Sequence, residues 1–280
     1  MTIRLVQITD THLSPTRPLF LDNHRRMAEA LAADPPDLIV NTGDISLDGA
    51  DREADLVFAK AEHDALPAPC LMIPGNHDVG DYAELGAKQP ATSARVARWR
   101  ALIGPDFWVH DLPGWRLIGL DTQILGSGLP EEQEQWAFLA DALAGAGSRS
   151  VALFLHKPLC VERLTDTSID LWPILPAARR RLLDALAAKP PLLVASGHIH
   201  QWRDRQLDGF RQVWAPPVSF IVGEEAQPSF GTKLVGAVEH TLHADGSFAT
   251  RLLTLDGLKL HDVVRMRAAY APDPEPPSGA

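Results

Sequence analysis

Short runs of β-branched and apolar residues alternate with amphipathic helical segments through the first two thirds of this 280-residue chain, and this alternation limits the fold most. Strand-like runs lie at 3–9, 38–42, 70–73, 115–121, 151–155 and 192–195. Helical periodicity falls between them, at 23–33, 51–64, 92–103, 130–144 and 176–188. Strands that alternate with helices predict an α/β fold with parallel strand pairs.

Beyond residue 205 the pattern changes to short strand-like runs separated by turns. Runs at 211–215, 218–222, 234–241 and 248–255 predict a second, more antiparallel sheet, with a hairpin turn at Asp245-Gly246. Two mixed sheets flanked by helices predict a four-layer α/β/β/α sandwich. We expect residues 1–265 to form a single domain and the Pro-rich residues 266–280 to be a disordered C-terminal tail.

Side chains that can bind metal ions follow five of the strand-like runs. Carboxylates, imidazoles and amide oxygens suit divalent cations, and the carboxyl ends of strands form the binding edge of an α/β sheet. The ordered set therefore predicts one two-metal hydrolytic site at these strand ends, although each pattern alone is weak. The predicted ligands are Asp10, His12, Asp44, Asn76, His156, His198 and His200.

Spacing explains how these side chains are expected to converge. Asp10 and His12 are separated by one residue, so the two-residue period of a strand is expected to put both on one face. His198 and His200 repeat this spacing, and the glycines before Asn76 and His198 allow a close approach of the backbone. Asp44 has two carboxylate oxygens and can bridge two cations. The six histidines outside the patterns, which include His63 and His240, are interpreted as ordinary core or surface residues.

On these motifs, residues 1–240 resemble the calcineurin-like metallophosphoesterase superfamily. The resemblance implies two mixed sheets flanked by helices and a binuclear centre that shares Asp44. It implies that His77 is an unligated catalytic histidine facing the leaving group and that Asp78 orients it. It also implies one cation held by Asp10, His12, Asp44 and His200, and a second held by Asp44, Asn76, His156 and His198.

Within the superfamily, the chain is most similar to class III cyclic-nucleotide phosphodiesterases and related glycerophosphodiesterases. The residues that carry this similarity are the blocks at 10–13, 75–78 and 197–200, and Gln133 and Trp136 after Gly128-Leu129. Larger eukaryotic phosphatases carry Gly-Asp-x-x-Asp-Arg-Gly in the second block, whereas this chain has no arginine between Gly43 and Gly49. The similarity implies hydrolysis of a small phosphodiester.

The predicted mechanism is direct attack on phosphorus by hydroxide held between two divalent cations. The ligand set contains no thiolate and suits Mn, Fe or Zn without choosing between them. No cysteine or serine nucleophile pattern lies near the motifs, which favours water over a covalent intermediate. Two enzyme alternatives stay open, a phosphomonoesterase and a phosphonate-ester hydrolase, and a non-enzymatic interaction module is disfavoured because no ligand is missing.

Composition limits the partners and the location. The formal net charge of −10 disfavours nucleic acid as a partner, and the densest basic run, Arg179–Arg181, is expected to be a solvated helix face. Cys70 and Cys160 do not form a disulfide framework. No membrane span or signal peptide is recognised, so the cytoplasm is the expected location. The expected partner is a small phosphodiester, and a homo-oligomer stays open.

The loops between the motifs carry no readable pattern. Residues 157–175 are predicted to form an irregular loop over the site. Lys157 is interpreted as an exposed lysine rather than a substrate contact, and Trp172 and Trp202 as core or lid residues. The identity of the substrate depends on such loops and is not predicted.

Overall fold

The computed structural model describes residues 1–266 and residue 270, and it contains two large mixed sheets and six helices in those residues. The helices are α1 (Leu21–Ala33), α2 (Glu53–Asp64), α3 (Asn76–Val79), α4 (Ser93–Leu102), α5 (Pro130–Ala144) and α6 (Pro176–Leu186). The strands are β1 (Thr2–Ile8), β2 (Leu38–Asn41), β3 (Cys70–Met72), β4 (Trp108–Leu112), β5 (Trp115–Gly119), β6 (Ser150–Leu155), β7 (Leu193–Ser196), β8 (Arg203–Leu207), β9 (Phe210–Trp214), β10 (Phe220–Ile221), β11 (Ala237–His243), β12 (Phe248–Leu253) and β13 (His261–Asp262).

Each large sheet combines parallel and antiparallel pairs. The first sheet has the order β12-β11-β1-β2-β3, in which β1, β2 and β3 are parallel and β11 and β12 pair antiparallel. The second has the order β4-β5-β6-β7-β9-β8, with parallel pairing from β5 to β9 and antiparallel pairing at both edges. Strands β10 and β13 form a small parallel pair.

The two sheets pack face to face, and helices cover their outer faces. Leu5 of β1 and Phe154 of β6 lie in the core between the sheets. Ile8 of β1 packs with Met27 of α1 on one outer face, whereas Leu153 of β6 packs with α5 and α6 on the other. Because both faces of these strands are buried, they appear in the sequence as continuous apolar runs. The predicted α/β/β/α sandwich is confirmed.

Most strands after residue 205 join the two large sheets, so the prediction that they form a second, more antiparallel sheet is wrong. Strands β8 and β9 extend the second sheet, whereas β11 and β12 extend the first. The apolar alternation that reveals a strand does not reveal its partner, so the sequence indicates the strands without assigning them to a sheet. Strands β4 and β8 were not predicted, because their partly exposed residues lack a clear apolar pattern.

A buried polar contact joins the two sheets close to the predicted site. The Gln7 side chain of β1 donates to the Ser196 carbonyl of β7 at 3.2 Å and to Thr42 Oγ1 at 3.0 Å. Its amide oxygen lies 3.2 Å from Nε2 of His240. This network fixes the register between the strand ends that carry the candidate ligands.

Arg179 is buried and donates to the carbonyls of Leu159 and Leu164, so it is not part of a solvated helix face. Both cysteines are free thiols. No helix in the described part of the chain is long and apolar enough to cross a bilayer.

The predicted domain and tail boundary at residues 265 and 266 stays a prediction. Of the predicted tail, Met266 and Tyr270 are described, and they pack beside Phe20 and Phe220. Residues 267–269 and 271–280 lie outside the described residues.

Candidate metal centre

The seven predicted ligands come from turns that follow strands of both sheets. Asp10 and His12 follow β1, Asp44 follows β2, and Asn76 begins α3 after β3. The second sheet contributes the others, which are His156 after β6 and His198 and His200 after β7. Asn76 and His198 are partly exposed and the other five are buried. The carboxyl ends of the parallel strands therefore form the floor of one polar site.

The backbone at these turns is left-handed, a conformation that residues other than glycine rarely adopt. The φ angles are 51° at Asp10, 46° at His12, 53° at Asp44, 68° at His198 and 56° at His200. Each such residue costs roughly 1–2 kcal/mol. This strain is typical of functional sites that the surrounding structure holds in place.

The prediction that Asp10 and His12 converge through the two-residue period of a strand is wrong. Strand β1 ends at Ile8, so Asp10 and His12 lie beyond the strand and do not converge through its two-residue period. Hydrogen bonds hold them instead, from Asp10 N to the Gly43 carbonyl at 2.9 Å and from His12 N to the Asp44 carbonyl at 3.0 Å.

The ligand atoms form two clusters that share Asp44. One cluster brings Asp44 together with Asp10, His12 and His200, and the other with His156 and His198, with the ligand atoms of each cluster within 4.8 Å of one another. The Oδ2 atom of Asp44 lies 3.7 Å from His12 Nε2 and 3.4 Å from His156 Nε2. One carboxylate oxygen thus lies between the two clusters.

Asn76 joins the second cluster through its amide oxygen. Its Oδ1 lies 3.1 Å from His156 Nε2. The same imidazole nitrogen is 3.2 Å from His198 Nδ1. All seven predicted ligands therefore meet at one place.

Hydrogen bonds to backbone carbonyls fix which imidazole nitrogen is free to bind a cation. Nδ1 of His156 donates to the Thr42 carbonyl at 2.8 Å, and Nδ1 of His200 donates to the Phe220 carbonyl at 2.6 Å. Nε2 of His198 donates to the Leu171 carbonyl at 2.8 Å. A carbonyl only accepts, so the opposite nitrogen of each ring is the one that presents a lone pair to the cluster when the ring is neutral. Metal-ligating histidines are held in this way.

The donor set fits divalent cations. Nε2 of His12 and Nε2 of His200 lie 3.3 Å apart, and the buried Oδ1 of Asp10 lies 3.1 Å from the same His200 nitrogen. Nitrogen lone pairs and carboxylate oxygens that face one another in a buried site are stabilised by a cation between them. The residues present can therefore hold such an ion at either cluster.

Burial and neighbouring charges lower the pKa of two of the histidines and so favour their neutral form. Burial and the neighbouring His77 hold the pKa of His12 well below its usual value. Burial and the Lys157 charge do the same for the pKa of His198. For His156, burial is outweighed by the Asp44 carboxylate, which raises the pKa to about 9. A cation at the second cluster would displace that proton, so its binding is coupled to pH.

His77 lies beside the clusters with its ring held by a carbonyl. Its backbone N–H donates to Asp44 Oδ1 at 2.8 Å, and its ring packs edge-on against the ring of His12 with centroids 4.5 Å apart. Nδ1 donates to the Leu47 carbonyl at 2.7 Å, which leaves Nε2 for a reacting group. Tyr270, which the sequence did not indicate, has its ring centroid 6.5 Å from that of His77.

Asp78 does not make the contact predicted for it. Its buried carboxylate accepts hydrogen bonds from the backbone N–H groups of Gly75, Ile45 and Ser46 at 2.9–3.2 Å, and from the Ser46 hydroxyl. Burial and the Asp44 charge raise the pKa of Asp78 to about 6. The Asp78 carboxylate therefore joins the turn after β2 to the turn after β3. The prediction that Asp78 orients the His77 ring is wrong, because the Leu47 carbonyl holds that ring.

Two glycines allow the close packing expected of them. A Cβ at Gly75 would lie 2.8 Å from Asp44 Cγ, and a Cβ at Gly197 would lie 2.7 Å from Asp10 Oδ2. Real Cβ atoms essentially never approach this closely. The prediction that these glycines permit tight approach to the ligands is confirmed.

A buried supporting contact near Asp44 was missed. The Asn41 side chain accepts from Gly43 N at 2.9 Å and lies 2.8 Å from Nε2 of His63, whose Nδ1 donates to the Ala59 carbonyl. Burial lowers the pKa of His63 to about 3, so its ring is neutral. The polar Asn41 at the end of an apolar strand is the available sequence signal, whereas His63 lies on α2 without a motif.

The segment 157–175 lies at the site, as predicted, but Lys157 differs from expectation. Leu171 contacts His198 through its carbonyl, and the Trp172 ring lies 6.3 Å from the His198 ring between centroids. Lys157 is fully buried rather than exposed. Trp202 packs against the core between the sheets.

Comparisons with known proteins agree with this geometry. The sequence profile of the calcineurin-like phosphoesterase family matches residues 3–202. The chain is 30% identical over 266 residues to the 3',5'-cyclic adenosine monophosphate phosphodiesterase CpdA of Escherichia coli K12, covering 89% of each chain. It is 28% identical over 212 residues to a probable glycerophosphodiester phosphodiesterase GpdQ of Arcobacter nitrofigilis, covering 70% of this chain and 71% of that one.

Solved structures show the same fold at low sequence identity. The purple acid phosphatase PPD1 from yellow lupin seeds superposes with a TM-score of 0.64 at 13% identity, over 94% of this chain and 53% of that one. A dimetal phosphatase from Danio rerio gives a TM-score of 0.54 at 15% identity, over 90% of this chain and 99% of that one.

Proposed function

The chain belongs to the calcineurin-like phosphoesterase family, and on that premise we propose that it is a metal-dependent phosphoric diester hydrolase that acts on a small phosphodiester. The proposed substrate is of the cyclic-nucleotide or glycerophosphodiester type. The position of Asp44 in both ligand clusters carries the proposal, because a carboxylate shared between two cations characterises sites that hydrolyse phosphate esters with two metals.

The proposed cofactor is a pair of divalent cations, of Mn, Fe or Zn. Oxygen and imidazole donors without a thiolate suit these metals. The first cation would be held by Asp10, His12, Asp44 and His200. The second would be held by Asp44, Asn76, His156 and His198.

When bound, the cations would neutralise the phosphate oxygens and supply hydroxide from water at neutral pH. The protein contributes orientation and proton transfer. His77 is proposed as the catalytic acid that protonates the leaving oxygen, because Leu47 holds its Nδ1 and its Nε2 is left for the substrate. Asp78 is proposed to support His77 through the backbone, since it fixes the turn from which His77 projects.

The diester preference rests on the two curated relatives, which are named as phosphodiesterases. A phosphomonoesterase and a phosphonate-ester hydrolase are the alternatives on the same site. The formal net charge of −10 supports a small molecule rather than nucleic acid as the substrate. The cytoplasmic location and the oligomeric state stay predictions.

The test uses full-length protein that is stripped with a chelator and reloaded with Mn²⁺, Fe²⁺ or Zn²⁺. Initial rates are compared on bis(p-nitrophenyl) phosphate and p-nitrophenyl phosphate, followed by cyclic nucleotides, glycerophosphodiesters and phosphonate esters. Faster hydrolysis of the diester is expected. A faster rate on the monoester would select the alternative.

Matched variants separate the site from the rest of the protein. Asp44→Asn keeps the shape of the side chain but removes the shared charge, and it should lose both bound cations and turnover. Asp184→Asn on the exposed face of α6 is the control and should leave both unchanged. Fewer than two cations bound by the wild-type protein, together with no diesterase activity under any metal, would contradict the proposal.

A further inference from the structure

Lys157 is a buried lysine directly after the candidate ligand His156. Its side chain is fully buried, whereas lysines are almost never buried without a partner. Water therefore cannot stabilise this charge, and contacts within the protein must do so. The ammonium reaches two other parts of the chain, one at Asp81 and one at Leu171.

The Lys157 ammonium has three partners. It forms an ion pair with Asp81 Oδ1 at 2.7 Å and donates to the Leu171 carbonyl at 2.8 Å. It also lies 4.3 Å from the centroid of the Tyr82 ring. The Lys157 backbone N–H donates to Thr122 Oγ1 at 3.1 Å. Lys157 therefore connects the end of β6 with Asp81, after α3, and with Leu171, later in the segment 157–175.

The Leu171 carbonyl that accepts from Lys157 also accepts from His198. Nε2 of His198 lies 2.8 Å from that oxygen, and Nδ1 of the same ring lies 3.2 Å from His156 Nε2 in the second ligand cluster. A carbonyl oxygen has two lone pairs and can accept from both donors at once. The proton on His198 is therefore fixed at Nε2 by an oxygen that Lys157 also binds.

The three carbonyls that orient candidate ligands differ in how they are held. Thr42, which orients His156, continues β2 and donates its own N–H to the Ile8 carbonyl. Phe220, which orients His200, belongs to β10. Leu171 lies in a segment, 157–175, that contains neither helix nor strand, and its side chain is 47% exposed. The Leu171 carbonyl thus lacks the ladder of hydrogen bonds that holds the other two.

We propose that Lys157 is a positioning residue for the metal centre, which holds the Leu171 carbonyl against His198 and thereby fixes the tautomer and orientation of that ligand. Hydrogen bonds of this kind set the basicity and direction of metal-binding imidazoles. The inference rests on the proposed function in taking His198 as a ligand of the second cation. Asp81 has the complementary role, because its carboxylate compensates the buried charge of Lys157.

The first measurement reads the His198 tautomer in the cation-free protein by ¹⁵N NMR of ¹⁵N-histidine-labelled samples. A His198→Gln sample identifies the signal. Wild-type protein should show a proton on Nε2, and Lys157→Met should show a mixture of both tautomers. A wild-type signal with the proton on Nδ1 would overturn the proposal without any Lys157 variant, and so would an unchanged tautomer in folded Lys157→Met.

The second measurement is a Mn²⁺ titration of the chelated protein. Lys157→Met should weaken one of the two binding steps about 10-fold or more and leave the other unchanged. Lys189→Met, in which the lost ammonium binds the Gly147 carbonyl away from the site, is the matched control and should bind as wild type. Equal affinities for wild type and Lys157→Met would overturn the proposal.

A double variant addresses folding. If Lys157→Met does not fold because Asp81 loses its partner, Lys157→Met combined with Asp81→Asn removes both charges and is tested in the same two ways. Failure of the proposed function would appear as fewer than two bound cations together with no diesterase activity in wild type. Failure of the positioning role would appear as an unchanged His198 tautomer and unchanged affinities.

Discussion

Gly75→Ala should damage the metal centre through a single methyl group. Gly75 precedes α3, and its φ of −111° is accessible to alanine, so the substitution adds no backbone strain. The new Cβ would lie 2.8 Å from Cγ of Asp44 and closer still to Oδ1 and to the backbone N of Asp44. The methyl group therefore collides with the carboxylate that both ligand clusters share.

The size of the effect follows from that distance. Carbon atoms pack at about 3.5–4.0 Å, so Asp44 or the turn at 75–78 has to shift by about 1 Å. Crowding of this kind lowers the free energy of unfolding by about 1–3 kcal/mol. A displacement of about 1 Å at a catalytic site lowers turnover by about 100-fold. A 100-fold loss corresponds to about 2.7 kcal/mol in the activation free energy, so we expect effects of similar size on catalysis and on folding.

Urea denaturation, bound-metal analysis and diesterase assays test this expectation. Gly209→Ala is the control, because Gly209 lies in the hairpin between β8 and β9 with φ of +91° and a Cβ there would meet nothing within 4 Å. It should lose about 1–2 kcal/mol through backbone strain but keep both cations and its turnover. Wild-type metal content and turnover in Gly75→Ala would contradict a collision between the new methyl group and Asp44.

Three further predictions concern the acid, the pH response and the core. His77→Ala should keep both cations but lower turnover of substrates with poor leaving groups by about 100-fold or more, as measured by metal analysis and steady-state rates. Loss of a cation would show that His77 has a different role. The pKa of His156 is raised from 6.5 to about 9, so its stabilising contribution is full below pH 6.5 and is lost as pH rises to about 9. Chelated protein should thus lose up to about 3 kcal/mol of unfolding free energy over that window in urea denaturation, and His156→Gln should show a flatter profile. Leu153→Ala, at a fully buried position on β6, should lower the free energy of unfolding in urea by about 2–5 kcal/mol. Leu260→Ala, at a 61% exposed position, should change it by less than about 0.5 kcal/mol, and equal losses in the two variants would contradict the layered core.

The layered fold and the identity of the ligands could be predicted from sequence because both depend on local patterns. Buried parallel strands appear as apolar runs, and the polar residue that follows each run marks the binding edge of the sheet. Helix α5 was predicted with the bounds observed, because Pro130 and two glutamates mark its first turn. The meeting of Asp10 with His200 follows from the same logic, as both come after central parallel strands.

The remaining features depend on contacts between distant segments. The left-handed φ at Asp44 is imposed by its surroundings, since aspartate adopts this conformation more often than most residues but still only in a minority of cases. Asp78 looked like a partner of its neighbour His77, but its carboxylate binds backbone N–H groups 32 and 33 residues earlier, at Ser46 and Ile45. Burial of Lys157 depends on Asp81, which no local pattern connects to it.

Anomalous X-ray diffraction from crystals grown with Mn²⁺ tests directly whether Asp44 bridges two cations. Two anomalous peaks about 3.5–4 Å apart are expected, with one Asp44 carboxylate bound to both. One peak alone, or two peaks that do not share Asp44, would contradict this bridging role.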